Sequence, residues 1–304
     1  MSSIKKKIEK ILHPIKLIYP LGCLRLIDWM PDKLYNSLVF KSEMGYKLDI
    51  DKPQTFNEKL QWLKLYDRKK EYTDLVDKLK AKKIIGEKIG FQHIVPTYGV
   101  WNKAEDIDFQ KLPTQFVLKC NHDQGSVIIV QDKSKIEKDK IIKELNKKLH
   151  RNLYYGTREY PYKNIIPQVF AEKFLQEKII DYKFYCFNGE PRFLYCGQGL
   201  TEDHSLKIDF YDLNWQLMPF YRTDYHRLGK IPKPINLDKM IEISKRLSKD
   251  IPFVRIDLFE VNNQIYFSEF TLYPASGYMP FVPNEYDRIV GEWLRLPEEH
   301  ITDN

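Results

Sequence analysis

Of the 304 residues, 43% are hydrophobic and 14% aromatic, which is enough for a substantial core and excludes a largely disordered chain despite 30% charged residues. The formal charge of +7 suits anionic partners such as nucleotides, acidic glycans or a membrane surface without selecting one, and no zinc spacing or RNA-binding aromatic motif supports nucleic acid. Cys23, Cys120, Cys186 and Cys196 are widely spaced without a C-x-x-C, which argues against a disulfide framework and fits a reducing cytoplasm, and no run of 18 apolar residues spans a membrane.

The opening "MSSIKKKIEKILHPIKLIYPLGCLRLIDW" has a basic front and an apolar stretch that Lys16 and Arg25 interrupt, with no small-residue cleavage site after it. It reads as a basic amphipathic segment. Two roles fit it, a first helix packed on the domain or a peripheral contact with the inner face of a membrane. Residues 1 to about 75 read as mostly helical. In "TFNEKLQWLKLYD", Thr55 is the expected N-cap and Glu58, three residues on, completes a capping box ahead of an apolar face of Leu60, Leu63 and Leu65 with Trp62 and Tyr66. A second helix is predicted through "YTDLVDKLKAKKIIGEKIG", ending near Gly90.

An extended "FQHIVPTYGVW" leads to two strands, "QFVLKCN" and "SVIIVQD", joined by "HDQG". A charged helix follows from Lys133 to about Arg151, with Ile136, Ile141, Leu145 and Leu149 near helical spacing, and its lysines read as a solvated face. The stretch "IPQVFAEKFL" reads as a strand ending in a hinge. From Asp181 the pattern becomes antiparallel β. "DYKFYCFNGEPRFLYC" is a hairpin turning at Asn188-Gly189, and "LKIDFYDLNWQLMPF" is a second candidate turning near Asp212 to Asn214. A helix, "LDKMIEISKRLSKD", precedes the last hairpin, "FVRIDLFEVNNQIYFSEFTLYP". The order is α+β, a small mixed lobe followed by a larger sheet-rich one.

Three features carry candidate chemistry. In the last hairpin Arg255, Asp257 and Phe259 share one face. A three-residue loop, Asn262 to Gln264, sets Asp257 opposite Glu269, whereas a two-residue Asn-Asn turn pairs Asp257 with Ser268 and turns Glu269 away. Two carboxylates facing each other destabilise the sheet unless a cation such as Mg²⁺ lies between them, and the alternative is a pair of exposed acids. In "FVLKCNHDQGSVIIV", Lys119 ends a strand ahead of a loop with Gly125 and Ser126, a way to bring one charge and several backbone N–H groups to polyphosphate. Neither a Walker A sequence nor a G-x-G-x-x-G fingerprint occurs, and an edge lysine beside a turn is the structural alternative. The third feature is the crossing "AEKFLQEKIIDYK", where backbone groups, apolar side chains and an acid suit adenine and ribose.

A lysine–glycine loop, a Glu-Lys-aromatic-Leu hinge, and Arg-x-Asp with Glu across a terminal hairpin, in that order, resemble the ATP-grasp superfamily. The end segments, "YKLDIDKPQTFNEKLQWLKLYDR" and "YFSEFTLYPASGYMPFVPNEYDRIVGEWLRLP", look closest to its TupA-like family from bacterial surface-polysaccharide gene clusters. The resemblance implies an α+β ATP-grasp fold in which two mixed α/β lobes clasp ATP. A helical region at 1–76, an N-lobe at 77–176 and a C-lobe with the metal-binding hairpin at 177–304 would make it up. It implies that Lys78 and Lys119 meet the nucleotide phosphates under a loop containing Gly125 and Ser126. Glu172 and Lys173 would meet the adenine edge, Leu175 would line its pocket and Asp181 would contact ribose. Asp257 and Glu269 would hold Mg²⁺, and Arg255, with Lys119, would serve the reaction centre. The usual Glu-x-Asn of the last strand is here Glu269-Phe270-Thr271, so a weaker and shorter hydroxyl ligand stands at the second metal position.

The activity so implied is an ATP- and Mg²⁺-dependent carboxylate–amine ligase working through an acyl-phosphate. Its partners would be small-molecule or glycan carboxylates, such as a uronic acid, and amines, in capsule, O-antigen or related glycan assembly. The acid would bind near "TLYPASGYMPF". Competing readings are a glycosyltransferase or an ATP-dependent glycan phosphotransferase of the same pathway, and a non-catalytic nucleotide-binding protein. Asp106 and Asp108 form an Asp-x-Asp in a polar segment and read as surface. His122 lies in the glycine loop and could touch a ligand, although most loop histidines are incidental; His204 and His226 are assigned no role. Arg158 and Lys163 of "GTREYPYKN" could contact phosphate or an acidic substrate, and the alternative, a basic surface loop, is the preferred reading.

Overall fold

The structure, a computed structural model, describes residues 14–199 and 205–298 and the backbone of 301–302. The basic stretch 1–13 and His204 lie outside the described residues. After a short helix at Ile18–Cys23 come α1 (Asp32–Met44), α2 (Phe56–Tyr66), α3 (Glu71–Val76) and α4 (Lys78–Ile89). Helix α2 starts where the capping box places it. Thr55 Oγ1 accepts from Glu58 N, and Glu58 Oε2 accepts from Thr55 N at 3.0 Å, which satisfies two backbone donors at the helix start. The single helix expected through residues 72–90 is instead two. Asp77 leaves helical geometry and its carboxylate accepts from Leu79 N and Lys80 N, so it caps α4 and puts Lys78 at the first position of a new helix.

The first sheet has four antiparallel strands in the order β1 (Thr97–Trp101), β4 (Val169–Lys173), β2 (Phe116–Cys120), β3 (Val127–Val130). The predicted charged helix is shorter than its pattern. A 3₁₀ turn at Lys133–Lys135 precedes α5 (Lys138–Leu149), whose Ile141 and Leu145 close a small core with Phe116, Leu118, Val169 and Ala171.

The second sheet has six strands. β5 (Ile180–Phe187), β6 (Glu190–Gln198) and β7 (Lys207–Asp212) form a meander extended by a two-residue strand at His226–Arg227. On the other side of β5, β8 (Phe253–Val261) pairs with it and with β9 (Gln264–Thr271). Asn188 and Gly189 take positive φ in a two-residue turn between Phe187 and Glu190, as Asn-Gly requires. The second candidate hairpin is reduced to one bridge, Tyr211 to Leu217, around a turn held by Asp212. One sheet face carries Phe184, Leu194, Ile256 and Phe270 and packs on α6 (Leu237–Ser248). This large core also takes Phe40 of α1, Phe56, Leu60 and Leu63 of α2, Ala81 and Ile85 of α4, and Val290 of α7 (Glu285–Glu292). Among the described residues no helix is long and apolar enough to cross a membrane.

The segment "GTREYPYKN" departs from the surface-loop reading. Arg158 is 1% exposed, packed 4.4 Å over the Tyr35 ring and 3.5 Å from Asp32, and only Lys163 and Asn164 are exposed. Asp106 and Asp108 are exposed, as the surface reading has them, and His226 is exposed as well.

Candidate active site

The two sheets face each other across a cleft of about 1050 Å³. Of the predicted site residues, Lys78, Lys119, Gly125, Ser126, Glu172, Lys173, Leu175, Asp181, Arg255, Glu269 and Thr271 all line it; Asp257 does not. Residues scattered over nearly 200 positions are thus brought to one place.

On the first sheet, Lys119 and Glu172 lie on neighbouring strands with side chains on the cleft face. Glu172 is buried and bonded to Lys119 through one oxygen and to Lys82 Nζ at 2.8 Å through the other. Burial pushes the Glu172 carboxyl up, but Lys119 and then Lys82 more than offset this and hold its pKa below the usual range. Lys82, whose own pKa burial pulls down, was missed in the sequence; its signal is the i, i+4 spacing from Lys78 on α4. Glu172's carboxylate is therefore committed to lysines, and what the hinge presents outward is its backbone.

The glycine loop is tied down at its base. Asn121 Nδ2 donates to Asp77 Oδ1 at 3.1 Å and Gln168 N donates to Asn121 Oδ1 at 2.7 Å. Ser126 Oγ accepts from Cys120 N at 3.1 Å and donates to Asp123. Gly125, at φ +81, is exposed at the tip, in a backbone region that favours glycine. Lys78 Nζ donates to the Asp123 carbonyl and stands 3.9 Å from Glu269 Oε2, so it spans the loop and the hairpin. His122 is buried beneath the loop with Nε2 3.1 Å from the Arg151 carbonyl and does not line the cleft.

The hairpin corrects the expected register argument. Its loop is the two-residue Asn262-Asn263, both at positive φ, and not an odd-length loop. Asp257 nevertheless faces Glu269, because a β-bulge at Ser268 shifts the register between Leu258–Phe267 and Asp257–Glu269. A polar row then crosses the sheet in register: Tyr195, Lys183, Asp257, Glu269. Asp257 is fully buried and accepts from Arg255 Nε and Nη2, both at 2.7 Å, and from Lys183 Nζ at 2.5 Å. Burial pushes the Asp257 carboxyl up, and Arg255 followed by Lys183 overcomes that and holds its pKa low. Burial also raises Asp181. Thr271 Oγ1 accepts from Arg255 Nη2 at 2.8 Å. Glu269 alone of the hairpin acids opens to the cleft, with its side chain 25% exposed and longer contacts to Arg255 (3.5 Å) and Lys78 (3.9 Å). Among the described residues no set of three or more His, Cys, Asp or Glu side chains is arranged as a metal cage. The donors fit one hard cation at Glu269 that draws its other ligands from phosphate and water.

The cleft continues past Tyr195 to Lys207, Tyr225 and Arg222. Arg222 is buried against the Tyr225 ring at 4.9 Å and its Nε donates to Asp224 at 2.9 Å. Of "TLYPASGYMPF", only Thr271 and Ala275 line the cleft. Ala275 and Ser276 both take positive φ, and the segment is held by buried Lys64, which donates to the Ser276 carbonyl at 2.6 Å, and by Ser276 Oγ donating to Glu159 at 2.8 Å. Burial pulls the Lys64 pKa down to about 8.

The model of the TupA-like ATP-grasp family matches residues 58–295. No curated protein matches the chain significantly. Among solved structures the chain is similar to D-alanine–D-alanine ligase from Bacillus anthracis complexed with ATP, at 18% identity and a TM-score of 0.38 over 65% of this chain and 55% of that one. It is also similar to L-amino acid ligase from Bacillus licheniformis, at 15% identity and a TM-score of 0.41 over 67% of this chain and 44% of that one. The chain thus spans about half the length of these two proteins. The family match covers well over half of the sequence and runs unbroken from α2 to just beyond α7, and on that ground the chain belongs to the TupA-like ATP-grasp family.

Proposed function

We propose that the protein is an ATP- and Mg²⁺-dependent carboxylate–amine ligase that forms an acyl-phosphate, with a uronic acid or similar acidic unit of a bacterial surface polysaccharide as the carboxylate. The observation that carries the reading is the single cleft onto which Lys78 and Lys119, the glycine loop, the hinge and Glu269 all open. Its volume lies at the upper end for ligand sites, which suits a nucleotide together with a second substrate.

An ionised carboxylate is a poor electrophile, and phosphorylation gives it a leaving group that an amine can displace. Lys78, Lys119 and Lys82 surround the phosphate end of the cleft and offset the charge of polyphosphate. The backbone at Glu172 to Leu175 would offer donors and acceptors to the adenine edge, and Asp181, on the cleft wall, would accept from ribose hydroxyls. Mg²⁺, when bound at Glu269, reduces the repulsion between the phosphates and an incoming carboxylate. Arg255, fixed by Asp257 and Thr271, holds a guanidinium beside the transferring group without having to reorganise. Among the described residues the cleft has nine cationic side chains against four carboxylates, and Arg222 and Lys207 extend the positive wall beyond Tyr195, which favours an acidic substrate over a neutral one. Tyr195 and Tyr225 supply aromatic surface for a sugar ring.

The test is release of ADP, AMP or pyrophosphate from the full chain with ATP, Mg²⁺ and a panel of uronates and amines. ADP release that requires both substrates is the expected result. Release that needs the acid or glycan but no amine would assign phosphotransfer instead. Absence of any calorimetric signal for ATP binding would sink the reading.

A further inference from the structure

The polar row across the second sheet places a lysine where carboxylates converge. Lys183 is buried on β5, directly beside Asp257 of β8 in the register and two residues from Asp181 on the same face. Its Nζ lies 2.5 Å from Asp257 Oδ2 and 3.6 Å from Asp181 Oδ2. Both oxygens of Asp257 are thereby engaged, Oδ1 by Arg255 and Oδ2 by Arg255 and Lys183. Thr271, the third hairpin donor, is bonded to Arg255. Across the cluster, Asp181, Asp257 and Glu269 are matched by Lys183, Arg255 and Lys78, so the charges already cancel.

A divalent ion between Asp181 and Asp257 would sit against an ammonium group with little water to screen the repulsion. Glu269 differs, being partly exposed on the cleft with only long contacts to its cations. We propose that the Lys183 ammonium serves as the cation between Asp181 and Asp257, so that the nucleotide-bound protein holds one divalent ion, at Glu269, rather than two. This rests on the nucleotide reading of the cleft. Lys183 also borders the cleft, but in this arrangement it is a positioning residue, because it acts through Asp257 and Asp181.

The experiment counts Mn²⁺ bound to the full chain by electron paramagnetic resonance at saturating non-hydrolysable ATP analogue, with nucleotide binding measured separately by calorimetry. The expected count is one Mn²⁺ per bound nucleotide in the wild type and two in Lys183→Gln, a variant that keeps length and a hydrogen-bond donor while removing the charge. Glu269→Gln should weaken the wild-type ion at least tenfold while nucleotide still binds. Two Mn²⁺ per nucleotide in the wild type would overturn the proposal, and that measurement stands even if the Lys183 variant does not fold. An unchanged count of one in a folded Lys183→Gln would overturn the assignment to Lys183. If no nucleotide binds, the nucleotide reading itself has failed and the proposal goes with it.

Discussion

Replacing Glu172 with glutamine tests whether the first sheet stores two cations around one buried acid. The wild-type side chain is 7% exposed and gives one oxygen to Lys119 and the other to Lys82. The amide of Glu172→Gln can accept one of these bonds but leaves both ammonium groups without a counter-charge. Breaking a buried pair by removing one partner costs about 3–5 kcal/mol, and the retained acceptor, with both lysines bordering the cleft, puts this variant near about 3 kcal/mol. Unfolding entropy of about 2.1 cal/mol/K per residue gives roughly 0.6 kcal/mol/K for a chain of 304 residues, so Tm should fall by about 5 °C. The pH dependence has a definite sign. The Glu172 pKa is depressed in the folded protein, so its contribution is present above the unfolded value of 4.5 and is lost as pH falls through the folded one. Scanning calorimetry at pH 7.5 and 5.5 should show the full difference between variant and wild type, and the gap should shrink as pH falls below 4.5 and close once the depressed folded pKa is passed. A variant melting within about 1 °C of wild type at pH 7.5, or a gap that persists undiminished in acid, would refute the argument.

Asp287 has the opposite sign. Burial raises its pKa to about 6 while Asn57 N donates to it at 2.9 Å, so the stability tied to its protonated form is full below 3.8 and lost as pH rises through 6. Asp287→Asn keeps the acceptor and should stabilise the protein by up to about 3 kcal/mol at pH 8 and by almost nothing at pH 3.5, read from urea midpoints. At Gly291 an added Cβ would lie 2.4 Å from Gln54 O and 2.7 Å from Phe56 N, both backbone atoms. Gly291→Ala should therefore push α7 off the start of α2 and cost about 1–3 kcal/mol by the same measurement, where a neutral result would show that the helix pair has slack.

What the sequence disclosed was governed by short-range rules. The Asn188-Gly189 turn and the Thr55–Glu58 capping box are each decided within four residues, and both form as their patterns require. The break at Asp77 was hidden because an aspartate inside a longer apolar pattern reads as an exposed helical acid until its carboxylate is seen closing on Leu79 and Lys80. Arg158 was misread for a different reason. Its partners, Asp32 and Tyr35, lie more than 120 residues away, and nothing in "GTREYPYKN" announces them. Lys183 combines both cases. Its alternation with Asp181 on one strand face was legible, but its contact with Asp257 depends on which strands are neighbours, and the chain order does not state that.

The register of the last hairpin shows how local and distant demands are reconciled. Two asparagines at φ 52° and 60° make a tight two-residue turn, and turn chemistry alone would then pair Asp257 with Ser268. That pairing would turn Phe270 into the cleft and Glu269 and Thr271 into the core. Phe270 is 2% exposed as built, and leaving it in water would forgo roughly 2 kcal/mol or more of burial, before the cost of burying an unpaired glutamate. One additional residue at Ser268 resolves the conflict, since it lets the turn half keep its own register and reverses the facing of the three strand residues beyond it. The acid pair is thus set by the bulge, not by loop length, and Ser268 fixes the side of the sheet from which Glu269 reaches the cleft.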